Sequence, residues 1–194
     1  MAGEFVSLLM ADLDLQHAYE LVTAAVTPRP IALISTCSAA GVENLAPFSF
    51  FTAGGSNPPS LVYSATADER GEAKNSLQNV VATGEFVVNT VHREMAPGLA
   101  VAGTEASVWE GYTPLPSLAV RPPRVRESLI QLECRLYTVV EHGTGPGASR
   151  YVVGEVVVAH IHRSVSEDPS RTNFVGRLGG PRYVDLARME LFGL

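Results

Sequence analysis

One lysine, one tryptophan and two cysteines are all that 194 residues contain of those types, and charged side chains make up only 18% of the chain. So low a charge density excludes a disordered or coiled-coil protein. The charge present is the wrong sign for non-specific nucleic-acid binding: 20 acidic against 14 basic residues give a net charge of −6, whereas a phosphate backbone needs a basic field. Cys37 and Cys134 lie far apart with no C-x-x-C pattern, so they read as small buried apolar residues in a reducing, cytoplasmic compartment. The opening MAGEFVSLLMADLDL has no basic stretch ahead of its apolar one, which reads against a secretory signal. No apolar run approaches the roughly 18 residues of a membrane span. Three chemical motifs are also missing: G-x-S-x-G, H-E-x-x-H, and a glycine-rich loop ahead of the lysine. A nucleophile elbow, a zincin site and a P-loop are therefore not expected.

What is present is enough for one core. Apolar residues make up 46% of the chain, and a single domain over 1–194 buries roughly 70% of its unfolded surface without disulfides or metal. The mean hydropathy of +0.14 suggests that some apolar surface is hidden between subunits.

Apolar residues Leu15, Tyr19, Val22 and Val26 recur at helical spacing over 12–26, and TPRP at 27–30 ends the predicted helix. IALISTC, NLAPFSFFTA and LVYSATA read as strands separated by SAAG and by Asn57-Pro58-Pro59. KNSLQNVVATG reads as a helix with Leu77, Val80 and Val81 on one face, an Asn75–Gln78 capping pair and Gly84 as the stop. EFVVNTV follows as a strand; 92–127, with five prolines, resolves only a short helix near Ala96–Ala102. The clearest pattern is Ile130, Leu132, Cys134, Leu136 and Val140 alternating with Gln131, Glu133 and Arg135, a strand with one buried face. GTGPGAS turns it into its partner YVVGEVVVAHIH. Strands outnumber helices and βαβ alternation is absent, so the expectation is a mainly β, antiparallel barrel with a few short helices.

Candidate chemistry is sparse. His160-x-His162 would place two imidazoles on one face of a strand, but no companion ligand has metal-site spacing, and no metal site is expected. His17, His92 and His142 have no partner readable in the sequence; His142 and His160 are candidates to line a site. Lys74 opens a helix, where a cation opposes the dipole unless an anion sits at the N-terminus. Lys74, the Ser76 hydroxyl and the first-turn N–H groups could form a phosphate cradle. Equally, Lys74 could be a solvated lysine beside Asp68, Glu69 and Glu72. NLAPFSFF likewise fits either the wall of a flat ligand or plain core.

A family resemblance bears on these alternatives. TPRPIALIST, NLAPFSFF, KNSL, TGEFVVN (83–89), QLECRL (131–136), VVGEVV (152–157) and GRLGGPRY (176–183) occur in order over about 17–185. Together they resemble the flavin reductase-like, FMN-binding split-barrel family, in its flavoredoxin-like branch. The resemblance implies a six-stranded antiparallel Greek-key split barrel that forms a homodimer. It implies non-covalent FMN, with FAD as an alternative, and NAD(P)H as electron donor. The implied activity is an NAD(P)H-dependent flavin reductase, with no catalytic acid or base in the chain. The alternative is a flavoredoxin-like electron carrier reduced by a protein partner, and a partner oxidoreductase or monooxygenase fits either. Carried over by position, the cofactor-binding residues are Arg29, Pro30, Ser35, Thr36, Asn44, Leu45, Ala46, Pro47, Ser49, Phe50 and Phe51. Lys74, Asn75 and Ser76 are implied at the phosphate, and Arg177, Gly180 and Tyr183 are implied to close the site. Asn75 stands where the family often has an acid, which favours an anion.

Overall fold

The computed structural model of the chain describes residues 4–99, 101–102 and 108–189. Helix α1 (Leu15–Ala25) starts where Asp14 accepts the backbone N–H of His17 at 2.8 Å, an N-cap that supplies an acceptor to one of the helix's unpaired donors. It leads into β1 (Arg29–Pro30), β2 (Ala32–Cys37), β3 (Glu43–Phe48), β4 (Phe51–Ser56) and β5 (Pro59–Ser64). Helix α2 (Asn75–Thr83) connects to β6 (Glu85–Thr90), followed by the short α3 (Ala96–Leu99) and the ribbon β7 (Pro114–Leu115) and β8 (Arg124–Val125). The long hairpin of β9 (Ile130–His142) and β10 (Ser149–Ile161) comes next, then α4 (Arg163–Glu167), β11 (Val175–Gly179) and β12 (Arg182–Asp185).

Seven strands form one antiparallel sheet in the order β3-β2-β6-β9-β10-β5-β4. Its two edge strands, β3 and β4, are separated in the chain only by Ser49 and Phe50. Two residues cannot bridge the width of an open seven-stranded sheet, so the sheet must curl until its edges meet. NLAPFSFFTA is thus one bent strand broken at Ser49–Phe50, and counting it once leaves the expected six-stranded barrel. Irregularities in the β9–β10 register at Val153/Gly154 and Val156/Val158 supply curvature. At Gly154 the Phe86 ring fills the place a Cβ would take.

The barrel interior holds Ile34, Phe48, Tyr63, Phe86, Val88, Cys134 and Val152, with Leu77 and Val80 of α2 packed in among them. A second core lies on the other face of β2, where Leu33 and Leu45 meet Val91, Met95, Leu99, Tyr112 and Val125. With both faces covered, all six residues of β2 are buried. Burial pushes the Cys134 thiol up to about 12, and both cysteines are free.

Three expectations need correction. Gln131 and Glu133, assigned to the solvent face of β9, are only 6% and 0% exposed, because residues 113–128 fold over that face. Glu133 accepts the backbone N–H groups of Leu118 (2.8 Å), Ala119 (2.6 Å) and Val120 (3.2 Å). The Asn75–Gln78 capping pair does not form: Lys74 is the N-cap residue without a side-chain cap, and Gln78 Nε2 donates to the Ala73 carbonyl instead. Finally, α1 buries only Thr23 within the chain, leaving Leu15, Val22 and Val26 69%, 46% and 57% exposed. Among the described residues no helix is long and apolar enough to cross a membrane.

Candidate functional site

The start of α2 faces a cleft of about 490 Å³ whose lining includes Asn44, Ala46, Pro47, Asp68, Glu72, Lys74, Asn75 and Ser76. Leu77 and Val80 fix the rotation of the helix by inserting into the barrel core, and Gly84 ends it at a φ of 71°. Two side-chain hydrogen bonds fix it laterally. Asn44 Nδ2 donates to Ser76 Oγ at 2.8 Å, and Asn79 Nδ2 donates to Thr36 Oγ1 at 3.1 Å. Because Ser76 Oγ accepts from Asn44, its own proton remains available to donate. Among the described residues the backbone N–H groups of Asn75 and Ser76 have no acceptor, so the cleft floor is a set of donors at the positive end of a helix.

Lys74 makes no ion pair among the described residues, and its Nζ lies 5.7 Å from the centre of the Phe48 ring. Lys74 is exposed and shares its clefts with Asp68, Glu69 and Glu72, so the geometry is compatible with the solvated lysine as well as with the cradle. Asp68 turns inward on its own loop, accepting the N–H groups of Arg70 and Glu72 at 2.9 and 2.8 Å. Those bonds, led by the one from Glu72, hold its carboxyl below the usual range. Lys74 and the open N–H groups suit a phosphate monoester, and the cleft runs from them along β3.

A second cleft, of about 440 Å³, brings together Arg29, Pro30, Ser49, Phe50 and Phe51 with Ser64 and Tyr151. Ser64 and Tyr151 are direct register partners on β5 and β10, and no local motif marks either of them. Arg29 is 3% exposed and lies 5.6 Å from the centre of the Phe50 ring.

Other residues expected at the site point elsewhere. Ser35 is fully buried and its hydroxyl donates to the Pro123 carbonyl. Thr36 is fully buried against Asn79, so it positions α2 and lines neither cleft. Leu45 belongs to the second core, and any role it has toward a ligand falls to its backbone. Strand pairing sets Arg177 directly opposite Arg29. The Arg177 guanidinium stacks 5.9 Å from the Tyr183 ring and donates to the Gly180 carbonyl at 3.2 Å. Gly180 itself lines a third cleft, with Gln16 and Tyr19 of α1.

Each histidine has a partner within the fold, and His160 and His162 also line a further cleft with Arg124 and Arg126. His160 Nε2 lies 2.6 Å from Glu133 Oε1, while His162 caps α4 through Ser164. His142 stacks on Tyr151, His17 pairs with Asp14 and His92 sits between Glu94 and the Glu127 carbonyl. Burial alone would raise the Glu133 carboxyl; the N–H groups of Leu118 and Ala119, with His160, outweigh it and hold the group below its ordinary value.

Comparison with known proteins places this geometry in context. Residues 24–177 match the family model described as flavin reductase like domain. Nitrilotriacetate monooxygenase component B from Bacillus cereus superposes with a TM-score of 0.91 at 28% identity, covering 98% of this chain and 100% of its own. The 2-nitrobenzoate 2-nitroreductase of Pseudomonas fluorescens superposes with a TM-score of 0.83 at 30% identity, over 97% and 96% of the two chains. Flavoredoxin of Desulfovibrio vulgaris shares the fold, with a TM-score of 0.71 at 20% identity over 86% and 91%.

Proposed function

This chain belongs to the flavin reductase-like family of flavin-binding oxidoreductases, and from that premise we propose that it binds FMN non-covalently and reduces it with NADH or NADPH. The observation that carries the reading is Lys74, a cation at the start of α2 with no carboxylate partner among the described residues, beside two N–H groups without acceptors. FMN bound there supplies a ring that accepts hydride at N5.

Everything else is binding and orientation. Lys74 neutralises the phosphate, the N–H groups of Asn75 and Ser76 and the Ser76 hydroxyl donate to it, and Asn44 holds that hydroxyl in place. Ala46 and Pro47, which line the same cleft, would hold the ribityl chain. Ser49, Phe50 and Phe51, at the break between β3 and β4, wall the ring. Selectivity for FMN over riboflavin follows, since only FMN carries the anion.

The exposed apolar residues of α1, together with Phe5 and Val6 at 85% and 86% exposure, support a homodimer in which a second copy covers them. The likeness to a monooxygenase component supports a partner monooxygenase that consumes the reduced flavin.

The test is a flavin titration. Purified protein should be yellow or take up added FMN, bind FMN more tightly than riboflavin, and be bleached anaerobically by NADH or NADPH. A protein that binds no flavin overturns the reading. Bound flavin that neither nicotinamide bleaches, but a protein reductase does, assigns the chain instead to electron carriage of the flavoredoxin kind. Light scattering of the eluting protein reads the homodimer directly, and a monomer mass removes that part.

A further inference from the structure

The cleft that His160 and His162 share with Arg124 and Arg126 has a volume of about 430 Å³, and no acidic residue lines it. In a chain of net charge −6 that grouping follows from two alternations. Val125, between the arginines, is fully buried in the second core, so Arg124 and Arg126 fall together on the other side of the strand. His160 and His162 stand in the same relation at the end of β10, and His160 is the register partner of Gln131. Arg124 is fixed in place. Its Nε and Nη2 donate to the Pro116 carbonyl at 3.1 and 2.9 Å, and its Nη1 donates to Gln131 Oε1 at 2.7 Å. Those acceptors are neutral, so the charge is uncompensated and further N–H groups remain open. Arg126 is exposed, and its guanidinium has neither a hydrogen bond nor an ion pair among the described residues. The acids beside these residues are engaged elsewhere. Glu127 Oε2 accepts the Thr113 N–H at 3.0 Å, and Glu133 is 0% exposed and turned onto Leu118, Ala119 and Val120.

His162 adds a donor. Its Nδ1 accepts the Ser164 N–H at 3.3 Å, which leaves the ring proton on Nε2. His160 Nε2 is taken by Glu133, so that ring serves as a wall. Two guanidinium groups without a carboxylate call for an anion of more than one charge. A carboxylate brings one charge and two oxygens, whereas a pyrophosphate or a pair of phosphates has charge and oxygens for both arginines and for His162. The cleft is larger than one phosphate group, and Leu115 and Ile161 give it apolar surface as well. It is also apart from the flavin. Tyr151, in the second cleft, and His160 are separated by roughly 30 Å of strand, at opposite ends of the β9–β10 hairpin. We propose that this cleft binds a small molecule bearing a pyrophosphate or a pair of phosphates, held between Arg124 and Arg126. The site goes beyond flavin reduction and does not depend on it.

Inorganic pyrophosphate is the probe, with inorganic phosphate beside it, titrated calorimetrically at neutral pH into protein carrying stoichiometric FMN, so that the donors at α2 are occupied. Pyrophosphate should bind at least about tenfold more tightly than phosphate, since only the longer anion reaches both arginines. Arg126→Gln should lower pyrophosphate affinity about tenfold and leave FMN affinity unchanged. Arg126→Lys should restore part of the loss, because an ammonium keeps the charge but lacks the fork. Equal affinity for the two anions overturns the proposal, as does no pyrophosphate binding to the FMN-loaded protein. Undiminished pyrophosphate binding by Arg126→Gln also overturns it. So does an Arg126→Gln protein whose FMN affinity falls as far, since the arginine would then serve the flavin. The two anions compared on the unaltered protein decide the matter even if the variant fails to fold. Adenosine diphosphate identifies the source: tighter binding than pyrophosphate places a nucleotide against Leu115 and Ile161, and weaker binding a free inorganic anion. Failure to take up FMN would count against the flavin reading alone, and pyrophosphate titrated into flavin-free Lys74→Ala protein then tests this cleft by itself.

Discussion

The two clefts hold their cations in opposite ways. At α2 the cation is an exposed lysine on a flexible stem, set among backbone N–H groups that come from one stretch of chain. Near α1 it is an arginine only 3% exposed, held by two carbonyls and surrounded by residues from β3–β4, β5 and β10. The first arrangement suits a strongly hydrated, freely rotating phosphate, because a lysine can follow it and water can share in its solvation. The second fixes its cation in one orientation, because a planar guanidinium held at one end leaves little freedom. Position along the chain matters as much as chemistry: one site is contiguous and the other is assembled.

Variants that separate fold from ligand test this contrast, and the largest effect belongs in neither cleft. Glu133→Gln removes a fully buried carboxylate that binds three N–H groups and His160. It should lower stability by about 3 kcal/mol, measured by denaturant unfolding, while the ratio of FMN to riboflavin affinity stays put. Because the Glu133 carboxyl is held below its ordinary value, its contribution is complete above the normal carboxylate range. It is lost as pH falls through the lowered value. The natural protein should therefore lose stability in acid over a range where the Gln variant loses less.

Lys74→Ala comes next, with FMN affinity falling about tenfold and riboflavin affinity little changed; equal losses for both flavins would place the lysine away from the phosphate. Asn44→Ala frees the Ser76 hydroxyl and loosens one tether of α2. An FMN affinity lower by about fivefold is expected, in line with about 1 kcal/mol for one hydrogen bond. The smallest effect is that of salt. Raising sodium chloride from about 0.05 M to about 0.5 M should weaken FMN binding about threefold through exposed Lys74, yet leave riboflavin binding nearly unaffected. Parallel salt curves for the two flavins would place the phosphate away from Lys74.

Much of the scaffold could be read from the chain. Alternation over Ile130–Val140 and a glycine-rich turn announce the β9–β10 hairpin. Leu77, Val80 and Gly84 announce α2 and its end. The grouping of Lys74, Asn75 and Ser76 at one cleft is also legible, because a helix start and its side chains are neighbours in sequence. Whether Lys74 is paired is not: Asp68 and Glu72 follow the same local logic, and only the fold turns Asp68 back onto its own loop. The side chains of Ser35, Thr36 and Leu45 are buried against Pro123, Asn79 and the second core, because which side of β2 or β3 is covered depends on segments far along the chain.

Periodicity and turn chemistry act between residues a few positions apart, and they suffice for the strands and the helix starts. The burial of Glu133, the bare face of α1 and the unsatisfied edge of Arg29 come from contacts between distant segments. Those depend on what covers a surface and what is left without a partner. A pattern of residue types states which groups need solvent or a partner; it does not state which of them will find one.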